Sequence, residues 1–389
     1  MNLKKELWNV EILDDICDVR DGTHDSPKYH KTGFPLITSK NITKGFVNFF
    51  ETNLISEEDY IQVNKRSFVD DGDILLSMIG TVGVAVLVEK KIDFAIKNVR
   101  LIKFTKSNKI INKYLLFVLQ SDNFQKKIES KSSGSAQKFI SLGLLRGLQI
   151  PLPPLEEQKQ IASLFQAIET AMEDVEGQEK NLYQLKHKLL KDLFSEKQEL
   201  GNHLKAKDFE TVRFDKIAKN ISERVEPKKT ELTTYVGLDH LDADNLNIER
   251  TGTPDDVIGT KLKIYKGDII FGKRRAYLRK VAVSHFDGIA SAHSMILRAD
   301  EKNIEKDFLP YFMQSETFMT RAVQISEGSL SPTIKNSTLA KQEFILPKKE
   351  KQKELISIFK QFDATMGLLK QQRTTLKNLK QKLLNEILG

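Results

Sequence analysis

Twice in this chain a short apolar run ends in proline and opens onto a long heptad pattern, and this feature restricts the possible folds more than any other. The first copy begins Pro151-Leu152-Pro153-Pro154-Leu155-Glu156-Glu157-Gln158 and continues to Phe194. The second begins Ile345-Leu346-Pro347-Lys348-Lys349-Glu350-Lys351-Gln352 and continues to Leu388. Proline is tolerated in the first turn of a helix and drives the residue before it toward extended geometry, so each copy reads as a strand feeding a helix. The first helix carries an apolar seam of Ile161, Leu164, Ile168, Ala171, Val175, Leu182, Leu185 and Leu189. The second carries Leu355, Ile358, Phe362, Leu369, Leu376, Leu379 and Leu383. Spacings of three and four residues over several heptads are the signature of coiled-coil packing. The offset between the copies is constant at 194 residues, from Gln158 to Gln352 and from Gln178 to Gln372. Each helix would hold ~40 residues and reach ~60 Å. Because one chain with short connectors must return along itself, the two helices are expected to pack antiparallel, giving a pseudo-twofold molecule with Gly389 near Met1.

The repeat extends beyond the helices. Leu13-Asp14-Asp15-Ile16 answers to Phe214-Asp215-Lys216-Ile217, and Gly72-Asp73-Ile74-Leu75 to Gly267-Asp268-Ile269-Ile270. Leu119-Gln120-Ser121 answers to Met313-Gln314-Ser315, and Gly134-Ser135 to Gly328-Ser329. The offset drifts from 201 to 195 to 194 residues, as small loop deletions would cause. A period this long is not a solenoid repeat. It describes a duplicated globular unit, each copy followed by its helix: residues 1–152, helix 153–196, residues 209–346 and helix 347–389, with a connector over 201–205.

Within the first unit, residues 34–38, 73–77, 84–88 and 99–102 are short, rich in branched residues and bounded by turn formers, so they read as strands. Residues 114–128 have helical spacing, and 131–135 are a loop by composition. In the second unit the strands fall at 262–265, 268–271, 281–283 and 295–297, a helix at 308–323 and a loop at 326–333. The fold class is α+β: two duplicated α/β domains and two long helices.

The chemistry implied is recognition rather than catalysis. Gly267-Asp268-Ile269-Ile270-Phe271-Gly272-Lys273 has the outline of a phosphate loop, but Arg274 stands where a Ser or Thr should hold magnesium. Asp255 with Asp300-Glu301-Lys302 loosely fits two acids and a lysine of a nuclease, without a counterpart in the other repeat. The seven histidines form no metal-binding pattern, and no glycine fingerprint for a methyl-donor site follows a strand. The formal charge of +8 fits a nucleic-acid partner. Lys273, Arg274, Arg275, Arg279 and Lys280 cluster within eight residues around Tyr277. Arginine offers bidentate contacts to bases and phosphates, and tyrosine offers stacking or a hydroxyl. Lys40 and Asn41, and the run Lys131, Ser132, Ser133, Ser135 and Lys138, are loops of hydrogen-bond donors suited to phosphates and base edges. Ser329 and Lys335 occupy the matching stretch of the second unit. Cys17 is the only cysteine, the N-terminus lacks the apolar core of a signal peptide, and no apolar run reaches a membrane span. A cytoplasmic protein with no membrane partner is expected.

Taken in order, the Gly-Asp-Ile strand, the Gly-Ser loop, the run Ile150 to Ile161 and the Leu/Lys-rich helix ends resemble the specificity subunit of type I restriction–modification enzymes, across nearly the whole chain. The resemblance implies that each unit is a target-recognition domain reading one half of a bipartite duplex DNA site. It implies that the helices act as a spacer and bind methyltransferase subunits, two of them, with restriction subunits as further partners. S-adenosylmethionine, ATP and magnesium would belong to those partners, and this chain would carry no cofactor or metal. The second copy departs from the pattern where Pro153-Pro154-Leu155 becomes Pro347-Lys348-Lys349. A single-chain DNA-modifying enzyme with a cryptic site, or a repressor-like DNA binder, remains the alternative from residues alone. A specificity subunit would be inert without partners.

Overall fold

The structure, a computed structural model, describes residues 3–42, 45–78, 83–131, 141–194 and 203–389. The chain divides into two compact units, residues 1–176 with 371–389, and residues 177–370. The long helices are α1, Leu155–Leu193, of 39 residues, and α2, Lys349–Leu388, of 40 residues. Each unit therefore contains a segment of both. In the first unit Ile161, Phe165 and Ile168 of α1 share a core with Leu384, Ile387 and Leu388 of α2. In the second unit Leu190 and Leu193 share a core with Leu355, Ile356 and Phe359. Early residues of one helix meet late residues of the other in both units, so the segments run antiparallel. Lys5 Nζ donates to the Glu386 carbonyl, which brings the end of α2 beside the N-terminal segment.

The proline runs are strands, as their sequence implies. Gln149–Leu152 pairs antiparallel with Asn9–Ile12, and Glu343–Pro347 pairs with Phe209–Arg213. Each feeds its helix through a buried glutamine. Gln158 Oε1 accepts from Ile111 N at 2.9 Å, and its Nε2 donates to Lys109 O and Pro153 O, both at 2.8 Å. Gln352 does the same with Glu305 N and Pro347 O. These side chains satisfy backbone groups that the turn into the helix leaves open. Gln158→Leu should therefore destabilise the first unit by roughly 1–3 kcal/mol, the cost of stranding buried polar groups. Chemical denaturation should show it, and Gln352→Leu should do likewise in the second unit. A change near zero for both would remove the glutamines from this role.

Each unit has a four-stranded antiparallel sheet in matching order. In the first, Asp18–Asp21, Val99–Lys103, Ile74–Ser77 and Ala85–Leu87 lie side by side; in the second, Ala218–Ile221, Ser294–Ala299, Ile269–Gly272 and Val281–Val283 do. The shared Gly-Asp turn is structural. Gly72 and Gly267 have φ of 79° and 95°, where side-chain-bearing residues are strained. The following Asp73 accepts from Asp70 N and Lys103 Nζ, and Asp268 accepts from Tyr265 N and both Arg298 Nε and Nη2. The Gly267–Lys273 stretch is thus a turn leading into one of the two inner strands of the sheet, Ile269–Gly272, followed by a 3-10 turn, Ala276–Leu278, and not a phosphate loop.

Two expectations are corrected. The helices read at 114–128 and 308–323 are each two helices, Asn112–Gln120 and Asp122–Lys131, then Phe308–Gln314 and Glu316–Gln324. The break falls at Ser121 and Ser315, whose extended backbone stops one helix while their Oγ atoms accept from Phe124 N and Phe318 N to start the next. The seam also differs from the heptad pattern. Ile161, Ile168, Val175, Leu355 and Leu369 are buried, and Leu164, Leu182, Leu189, Ile358, Phe362, Leu376 and Leu383 are partly buried. Leu185 and Leu379, matched at an offset of 194, are 55% and 42% exposed. The residues beside them, Lys186 and Lys380, turn inward instead.

Those lysines occupy equivalent polar cradles. Lys380 Nζ lies 2.6 Å from Glu169 Oε1 and 2.9 Å from Gln120 Oε1, above the ring of Phe117. Lys186 Nζ lies 2.6 Å from Asp363 Oδ1 and 3.4 Å from Gln314 Oε1, above the ring of Tyr311. Every partner in one unit is offset by 194 residues from its counterpart in the other. The repeated Gln120-Ser121 and Gln314-Ser315 thus serve two structural tasks, receiving the lysine and capping the second helix.

Candidate nucleic-acid interface

In the second unit the structure brings together the basic cluster and the Gly-Ser loop, which are about 55 residues apart in sequence. The loop closes on itself through Glu327 N to Thr333 O and Thr333 N to Glu327 O, with Gly328 at φ 105°. It docks on the cluster through Arg275 N to Pro332 O, Ile334 N to Lys273 O, and Arg274 Nε to Ser331 Oγ at 2.6 Å. Arg275 takes left-handed geometry, φ 58°, at the start of the 3-10 turn. The turn presents the Arg275 and Tyr277 side chains to solvent, Tyr277 being 54% exposed. Ser329 is exposed on the loop beside Leu330, itself 92% exposed.

The cluster is not uniform. Arg279 is tied to Asp244, Glu316 and the Gln314 carbonyl, and Lys280 to the Leu238 carbonyl, so both hold the fold. Lys335 is exposed but ion-paired with Glu327 at 2.6 Å. Lys273 is half-buried; burial, and next the charge of Arg224, hold its ammonium below the ordinary lysine range. Burial, then Arg274, Lys273 and Lys261, lower the pKa of His293, whose Nε2 sits 3.3 Å from Arg274 Nη1. Lys273, Arg274 and Arg275 therefore concentrate positive charge without an ion pair among the described residues, which suits an anionic polymer.

Both repeats of this architecture match a single family description, "Type I restriction modification DNA specificity domain", over residues 5–185 and 206–378. The chain belongs to that family. It is 24% identical, over 99% of its length and 94% of the relative's, to the type I restriction enzyme MjaVIII specificity subunit of Methanocaldococcus jannaschii. It is 28% identical over 45% of its length to the EcoBI specificity subunit of Escherichia coli, covering 38% of that protein. Among solved structures it is similar in fold to the type I restriction–modification S subunit from M. genitalium, with TM-score 0.59, 15% identity, and coverage of 99% of this chain and 97% of that one. A chain described under complex assembly of the type I restriction–modification system matches with TM-score 0.61, 16% identity, and coverage of 97% and 96%.

The first specificity domain offers less of its expected surface to description. Lys40 is exposed on the 3-10 turn Ser39–Ile42. Asn41 is engaged within the fold: its Oδ1 accepts from Thr38 N and Oγ1, and its Nδ2 donates to Asn48 O. Lys131 ends a helix, and Ser132, Ser133, Ser135 and Lys138 lie outside the described residues. Two cations of the second specificity domain were not legible as site residues. Arg224 and Lys261 reach the Lys273 cleft from strands Arg224–Val225 and Lys261–Ile264, which pair antiparallel. Only sheet pairing joins them, across 37 residues of sequence. No helix among the described residues is long and apolar enough to cross a membrane.

Proposed function

We propose that this chain is the non-catalytic specificity subunit of a type I restriction–modification complex and reads a bipartite duplex target, one half with each recognition domain. The observation that carries this reading is the family match falling twice, once on each structural repeat. Two similar domains with different loop sequences suit two different short elements rather than a palindrome. The recognition domains are residues 1–152 and 209–346, and the helices 153–196 and 347–389 hold them at a fixed separation. Arg275, Tyr277 and Ser329 contact DNA in the second half-site, with Lys273 and Arg274 behind them. Two methyltransferase subunits bind the helices, restriction subunits join in the full complex, and S-adenosylmethionine, ATP and magnesium belong to those partners.

The spacer role has a direct test. A helix of ~40 residues spans ~60 Å, which corresponds to an upper limit of ~18 base pairs at ~3.4 Å each. Four residues, about one helical turn, can be removed from α1 between Met172 and Tyr183 and from α2 between Met366 and Lys377. Both lysine cradles then remain intact. Methylome sequencing should show a shorter unread gap with both flanking elements unchanged. Methylation at the original gap would reject the spacer role.

A further inference from the structure

The Lys273 cleft, a cavity of about 620 Å³ in the second unit, carries more than its lysine. Arg224, Lys261, Lys273 and Lys335 line it, and no Asp or Glu does among the described residues. Lys335 is neutralised by Glu327, and the Lys261 ammonium donates to the Ile258 and Gly259 carbonyls. The Arg224 and Lys273 side chains have no hydrogen bond or ion pair among the described residues, although they are close enough for one charge to act on the other. Ser294 also lines the cleft, is 1% exposed, and its Oγ has no hydrogen-bond partner among the described residues. Two neighbouring cations without a counter-charge, the exposed Arg224 and the half-buried Lys273, beside a buried hydroxyl without a partner, form a site suited to an anion.

The first unit shows the contrast. At the corresponding end of its sheet Asp21 stands opposite Arg100 and forms a buried ion pair with it, joined by His24. The residue offset by 201 from Asp21 is Ser222, which lines the cleft of the second unit. Arg100 is replaced as well, by Met295 at the offset of 195, so the second unit keeps neither partner of that pair and lines the same place with Arg224 and Lys273. We infer that the cleft of Arg224, Lys273 and Ser294 seats a backbone phosphate of the bound duplex. This rests on the DNA-recognition reading above. It assigns these residues to affinity and register, leaving base reading to the exposed turn at Arg275 and Tyr277.

The test uses the complex assembled with methyltransferase subunits, a duplex carrying the methylated site of the host, and a duplex of scrambled sequence. Arg224→Gln and Lys273→Met should leave thermal stability unchanged or raise it, since each removes an uncompensated charge. Each should weaken both duplexes by the same factor and reduce the slope of log affinity against log salt by about one. Wild-type slopes in both variants would overturn the inference. So would a loss confined to the methylated sequence, which would make these residues base readers. Inorganic phosphate tests the other source of the same chemistry: if it stabilises the wild-type complex but neither variant, while the salt slopes stay equal, the cleft serves a free anion and the backbone assignment falls. A wild-type complex that binds both duplexes alike would sink the recognition reading itself, and this inference with it.

Discussion

Asp363→Ala should destabilise the second unit by about 3–5 kcal/mol, the range for removing one partner of a buried ion pair. Asp363 holds Lys186 Nζ at 2.6 Å through Oδ1 and the Tyr311 hydroxyl at 2.8 Å through Oδ2. The Lys186 side chain is only 6% exposed and that of Asp363 28%, so the substitution leaves a nearly buried ammonium without its carboxylate, and water entering beside it sets the lower end of that range. Burial, with Asp363 adding to it, already pushes the Tyr311 phenol well above its usual range, so that hydroxyl remains a donor and loses its acceptor too. Replacing the pair together, Lys186→Met with Asp363→Leu, should recover most of the loss, because the desolvation cost disappears along with the attraction. Hydrogen exchange across Phe308–Gln324 measures the effect within this unit. Glu169→Ala in the first unit should cost less, since Lys380 is 18% exposed and partly hydrated already. An Asp363→Ala protein with wild-type protection would show that the cradle contributes nothing to stability.

Phe318→Ala should be comparably costly, about 3–5 kcal/mol for a large buried aromatic. Its ring is fully buried, with centroids 5.4 Å from Phe312, 5.5 Å from Phe271, 5.7 Å from Phe214 and 5.9 Å from Phe344. Edge-to-face geometry with Phe312 and Phe271 adds aromatic pair energy to the cavity cost. At the offsets of the repeat, the first unit has Leu76 for Phe271, Val118 for Phe312, Leu13 for Phe214 and Ile150 for Phe344, around Phe124. Phe124→Ala should therefore cost less, having no ring partners at these positions. Equal losses for the two substitutions, measured by denaturation of each variant, would mean that the aromatic cluster adds nothing beyond volume.

The same comparison shows what the sequence could and could not convey. The strand-to-helix runs, the duplication and the length of the helices were legible because proline, glutamine and heptad leucines recur at one offset. The helix breaks at Ser121 and Ser315 were not, since serine inside an apolar run reads as a tolerated helical residue until its Oγ is seen capping the next turn. Leu185 and Leu379 fit the three- and four-residue spacing of the seam, and a lysine beside them is expected on the exposed face. In fact Lys186 and Lys380 turn inward, and only a carboxylate from the opposite helix makes that affordable. In the basic face, the local run Lys273 to Lys280 was visible but its division of labour was not. Arg279 and Arg275 differ in role because only one meets carboxylates contributed by distant segments, Asp244 and Glu316. Arg224 and Lys261 were missed for the same reason, as strand pairing, not sequence proximity, brings them to the cleft.

If each recognition domain reads its own half of the target, replacing residues 209–346 with the matching domain of another family member, in cells that supply the methyltransferase subunits, changes only one half. Methylome sequencing should then show a two-part methylated site in which one element changes while the other element and the gap stay the same. A continuous site in the wild type, or an exchange that alters both elements at once, would contradict it.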